Sequence, residues 1–200
     1  MSNDNIVKSN VEGLELYSEA YPFRLSLRVG SFESEGAFQK FVKNCELMLR
    51  KSLEYKLWRN YIIDVLQVNQ CMITHEVIGE VTVDIHHHIP SLHSFITALV
   101  NECLEKGEEF CSFDICQKAI ILHFQNKVGY VALMNSMHDK FHNGHLDIPI
   151  SFVKGDYMFF VNNYLKYLDD AEKDVINTRL AVSTTNVSWS RNNYPAAASM

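Results

Sequence analysis

Residues 81–90 read Val81-Thr82-Val83-Asp84-Ile85-His86-His87-His88-Ile89-Pro90, and the fold follows from how this stretch is read. Val81, Val83 and Ile85 alternate with Thr82, Asp84 and His86, the two-residue period of a strand with one buried face. Pro90 ends the strand, because it has no backbone N–H and restricts the residue before it. Three consecutive histidines therefore stand at a strand end. Two more of the nine histidines, His138 and His142, are four residues apart in a segment of helical spacing. Residues i and i+4 share one helix face, so both imidazoles reach the same point. Neighbouring strand residues face opposite ways, so His86 is expected to join that pair. His87 joins it only where the backbone turns at the strand end. The arrangement provides three imidazole ligands for a divalent ion and leaves one imidazole free. Three protein ligands keep a coordination position open for water or a phosphate oxygen. A free histidine titrating near neutrality can take a proton from water, and an ion plus a base is the minimum equipment for phosphodiester hydrolysis.

The rest of the chain surrounds this stretch with mixed elements. Phe23 to Val29 alternates as a strand, and Ser34 to about Arg59 repeats its apolar residues as one helix. Tyr61 to Ile85 is rich in β-branched residues, with Gly79 as a turn or bulge. Ser91 caps a helix from about Leu92 to Leu104, and a second runs from about Ser112 to Phe124 with Asp114 in its first turn. Gly129 to Leu133 is a short apolar strand. Asn135 or Ser136 then caps the helix carrying His138 and His142, which Asn143-Gly144 stops. Met158 to Leu168 is a further amphipathic helix. The pattern is that of an α+β protein: a flexible segment over residues 1–20, one globular domain over 21–180, and a flexible polar tail over 181–200. Within that tail Trp189, beside Arg191 and Tyr194, offers an anchor for a protein partner.

Composition narrows the classes. Eight glycines and four prolines exclude a collagen-like or low-complexity chain. No window approaches the roughly 18 apolar residues of a membrane span, and the N-terminus lacks a secretory pattern, so a cytoplasmic protein is expected. The five cysteines form no CxxC pair, which argues for reduced thiols and against a zinc knuckle. Net charge is −6, unevenly spread: residues 20–59 carry +4, residues 60–116 carry −8. An acidic segment repels phosphate, so a polynucleotide would meet the basic third or scattered lysines. There is no GxSxG, GxxxxGK[ST] or GxGxxG.

Asp84-Ile85-His86-His87-His88-Ile89-Pro90, followed by the strand and helix of Tyr130 to Gly144, resembles the HNH endonucleases, the ββα-metal nucleases. The likeness covers about residues 71–145. It implies a ββα-metal core, preceded by the strand–helix element and joined by additional helices. By the same likeness His86, His138 and His142 hold one divalent ion (Mg²⁺, Mn²⁺, Zn²⁺ or Ni²⁺), and His87 is the general base. Asp84 would support an imidazole from behind, while Lys127 and Lys140 are weaker candidates for phosphate contacts. The implied activity is nicking or hydrolysis of DNA, in a phage or mobile element. The chain departs from the pattern at two places. Gly129 stands where the family has an asparagine, a role that Asn126 could take only from a rearranged loop. Met134 and Met137 stand where many relatives have knuckle cysteines. These departures and the acidic middle segment support the alternative, a catalytically silent relative that serves as a binding or structural subunit of a larger, phage-type assembly. Its cytoplasm would then be that of the host.

Overall fold

Ser34 opens the first long helix, its Oγ accepting the Ala37 N–H at 3.2 Å, and α1 runs Glu35–Lys51. The computed structural model describes residues 8–10, 13–15, 28–77, 79 and 82–187. The single helix expected over 34–59 is broken at Ser52. The Ser52 N–H closes α1 on the Leu49 carbonyl, and its Oγ accepts the Tyr55 N–H, starting α2 (Leu53–Asn60). One serine thus ends one helix and begins the next. Ahead of α1, within the segment expected to be loosely ordered, β1 (Lys8–Asn10) pairs with β2 (Gly13–Glu15). Three-residue strands are too short to leave a readable alternation. Most of the expected Phe23–Val29 strand lies outside the described residues. Its end, Val29, makes an antiparallel bridge to Phe110.

The β-branched stretch after α2 does not become a sheet. Tyr61–Val65 continues helically as a π turn, and among the described residues between it and residue 83 the one bridge joins Gln70 to Val77. Packing of Ile62 into the core overrides strand propensity there. Gly79 has a φ of +108°, in keeping with a turn. The central strand is β3 (Val83–Ile89), which pairs antiparallel with β4 (Gly129–Met134), Val83 opposite Met134 and His87 opposite Tyr130. The register shifts between His87 and Ile89. Between the two strands lie α3 (Leu92–Glu105) and α4 (Ser112–Phe124). Ser91 caps α3 as expected, its Oγ accepting the Ser94 N–H, and Asp114 accepts the Cys111 N–H at the start of α4. Glu102 of α3 binds Lys118 of α4, tying the pair together.

After β4 the chain enters α5 (Asn135–His142) directly. Then β5 (Leu146–Asp147) and a short 3-10 turn lead to α6 (Tyr157–Tyr164), which ends in a 3-10 turn over Leu165–Tyr167. The helix expected over 158–168 therefore tightens in its last turn. A helix not expected from the sequence, α7 (Asp170–Leu180), follows; Asp169 caps it by accepting the Glu172 N–H. Its only buried side chain is Ile176, so it carries no readable stripe. The stretch read as a flexible tail begins in order: β6 (Asn186–Val187) pairs with β5. Trp189, Arg191 and Tyr194 lie outside the described residues. The result is an α+β fold in which helices cover the β3–β4 pair. Trp58, Phe95, Leu99, Phe110, Val131 and Phe160 fill the core between them. No described helix is long and apolar enough to cross a membrane.

Candidate metal centre

Strand pleating decides which histidine goes where. Val83, Ile85 and His87 point to one face of β3, while Asp84, His86 and His88 point to the other. Helix α5 lies on the second face, beside β3 and β4. It begins at Asn135 with Met134 in the cap position, slightly earlier than the sequence suggests. It ends at Asn143-Gly144, where Gly144 takes a φ of +70° and the His145 N–H closes on the Lys140 carbonyl.

On this face three imidazoles converge. His138 Nε2 lies 2.9 Å from His86 Nδ1 and 3.1 Å from His142 Nε2. One ligand nitrogen from each ring falls within 4.8 Å of the others. Tetrahedral zinc with Zn–N bonds of about 2.0–2.1 Å sets its nitrogens about 3.3 Å apart, so the two pairs centred on His138 need only slight expansion to share an ion. Burial pulls His86 down to about 2, with His138, His142, His88 and Arg179 adding to the shift. Burial, then His138 and Arg179, also lower His142. Neutral imidazole is the form that binds metal. The donor set therefore fits a divalent ion, preferably one with affinity for nitrogen, and leaves a fourth position open. His86 Nε2 is buried without a hydrogen-bond partner.

His87 faces the opposite way. It is 4% exposed, stacks on Tyr55, and packs against Trp58. Its Nε2 lies 2.8 Å from His123 Nε2, and His123 Nδ1 donates to the Ala119 carbonyl. Burial, reinforced by His123, holds His87 well below its ordinary range. The backbone does not turn it onto the cluster as the strand ends. It thus cannot reach water on an ion held by the other three, and the role of general base does not fit its position.

The supporting residues are also placed differently from expectation. Asp84 is held by Arg59 at 2.5 Å instead of backing an imidazole. Gly129 is required by packing: a Cβ there would stand 2.3 Å from the Ile89 carbonyl oxygen and 2.7 Å from Tyr157 Cβ. No asparagine fits. Asn126 does not substitute for it; it occupies a turn with φ +58° after α4, and its carbonyl accepts the Asp156 N–H. Lys127 places its ammonium 4.2 Å from the Phe159 ring centre. Lys140 sits half-buried on α5 between the two histidines. His88, 1% exposed, packs its ring edge against Phe141.

The whole chain bears on this centre. Residues 2–194 match the model of the bacteriophage G278-like virion proteins. The chain belongs to that family. No curated protein and no solved structure matches it. Two residues of this G278-like chain that bear on the histidines escaped the sequence reading. Arg179, on the unforeseen α7, donates to the His88 carbonyl at 2.6 Å and lies over the Phe141 ring, bringing a partly desolvated cation to the histidine face. Nothing in a polar helix signals that. His123 did leave a signal, since it falls on the same face of α4 as Ile115, Ala119 and Leu122.

Proposed function

We propose that this virion-family chain is a structural component of a phage particle, assembling with other proteins there, and that its ββα unit holds one divalent ion through His86 Nδ1, His138 Nε2 and His142 Nε2. The observation that carries a structural rather than a hydrolytic ion is the position of His87, locked into the aromatic core on the far side of β3. An all-imidazole set favours Zn²⁺ or Ni²⁺ over Mg²⁺, which prefers oxygen ligands. Such an ion would pin α5 to β3 across 52 residues of sequence, a cross-link able to contribute on the order of 10 kcal/mol. The likeness to HNH endonucleases is then one of architecture, with the cluster kept and the base withdrawn.

A second reading, a metal-dependent nuclease acting on DNA, is favoured by the open fourth position and by Arg179, whose cation stands near the histidines. One experiment separates the two. Purified protein is analysed for metal, its melting is followed with and without chelator, and supercoiled plasmid is offered with Mg²⁺, Mn²⁺ or Ni²⁺. The structural reading expects about one bound ion, a lower melting temperature after chelation and intact plasmid. Nicking that disappears in His138→Ala would reverse the order of the two readings.

A further inference from the structure

The turns at 93, 97, 101 and 104 put His93, Thr97, Asn101 and Leu104 on one face of α3. That face meets the chain entering α1 and the first turn of α7 around a cleft of about 720 Å³. This is within the size of small-ligand sites, and no candidate metal ligand lines it. Phe32, Phe38 and Leu104 give the cleft apolar wall, and Glu35, Asp169 and Glu172 give it three carboxylates. His93 directs its Nδ1 to Glu46 at 3.4 Å and also acts on Glu172, which burial raises and which Ser94 and His93 lower, so Glu35 and Asp169 are the less engaged carboxylates. Glu35 accepts one bond from Gln39, and Asp169 one from the Glu172 N–H; each keeps a second oxygen.

Thr97 supplies an independent sign of a ligand. It is 5% exposed, it lines the cleft, and its Oγ1 has no hydrogen-bond partner. A buried helical threonine ordinarily bonds back to the carbonyl one turn earlier, and leaving a hydroxyl unpaired is costly. A donor entering the cleft would satisfy it.

We infer that this cleft binds an alkylammonium group together with its methylene stem, carried by a free polyamine or by a lysine of a neighbouring protein. The carboxylates and the Thr97 hydroxyl accept from the ammonium, whose three hydrogens suit several separate acceptors. The aromatic and leucine wall covers the methylenes, as apolar surface does for long cationic side chains.

The test is titration calorimetry at low salt on the full chain, with two probes, spermidine and Nα-acetyl-lysine methylamide. Binding in the millimolar range or tighter is expected. The double substitution Glu35→Gln, Glu172→Gln should weaken it about tenfold or more, and Thr97→Val should weaken it severalfold. Glu105→Gln, an acidic change outside the cleft, should leave it unaltered. The double variant and Glu105→Gln should melt close to the wild type, since Asp169, the α7 cap, is untouched, and Thr97→Val, which removes an unpaired hydroxyl, should melt no lower. Binding of spermidine alone identifies a free polyamine as the source, and binding of both probes identifies lysine. If neither probe binds, or if the double variant binds as tightly as the wild type, the inference is overturned. Neither probe involves the histidine centre, so this outcome is separate from the fate of the metal reading.

Discussion

His87 Nε2 lies 2.8 Å from His123 Nε2, inside a box of Tyr55, Trp58 and Phe95. The residue before it in sequence, His86, points out of the other side of β3 into the three-histidine cluster. A single peptide step therefore separates a core histidine from a candidate ligand, and the two should respond to substitution in opposite ways.

His87→Ala should cost stability and spare the metal. It empties a buried ring site and leaves His123 Nε2 without its partner, a loss of about 3 kcal/mol. Urea unfolding checks the first part and metal analysis the second. His142→Ala, at an exposed position, should show the reverse: lost metal, with chelator-treated stability changed by less than about 1 kcal/mol.

Acid should weaken the fold through His123. Burial lowers it to about 4 in the native state, against about 6.5 when unfolded. Between those values the unfolded chain binds more protons, so the contribution is complete above about pH 6.5 and is lost as pH falls toward 4. It amounts to about 3 kcal/mol. Unfolding free energies at pH 7 and pH 5, measured with chelator, should differ more for the wild type than for His123→Gln.

Gly129→Ala should be far more damaging than Gly36→Ala. Its Cβ would meet the Ile89 carbonyl at 2.3 Å, and relieving that overlap requires separating β3 from β4, at a cost of about 3 kcal/mol or more. In α1, Gly36 has room for a methyl group, and Gly36→Ala should stabilise by about 0.5–1 kcal/mol. Thermal melts of the two variants make the comparison.

Asp84→Asn should alter stability by less than about 1 kcal/mol and leave metal content unchanged, because Asp84 engages a partly exposed Arg59. A fall in metal content would restore the orienting role that the sequence pattern suggests for this carboxylate.

What the sequence made legible was periodic or punctuated. The alternation into His86, the i, i+4 spacing of His138 and His142, the Ser91 cap and the Asn143-Gly144 stop each express a local rule, and each appears in the fold. The side of the strand taken by His87 was not legible, since a run of three histidines before proline fits either a turn or a continuing pleat. Ser52 gave no warning either, because a serine inside an apolar repeat is compatible with an unbroken helix. Tyr61–Val65 misled through propensity: β-branched residues stayed helical once Ile62 was needed in the core. Arg179 could be found only from tertiary structure, coming from a helix whose burial rests on Ile176.

Everything above turns on three imidazoles from β3 and α5 sharing one ion. Anomalous diffraction at the zinc edge, from crystals of protein purified without chelator, tests it most directly. A single peak bonded to His86 Nδ1, His138 Nε2 and His142 Nε2 is expected. A peak elsewhere, or metal-free protein that keeps these rings together in zinc-containing solution, would contradict it.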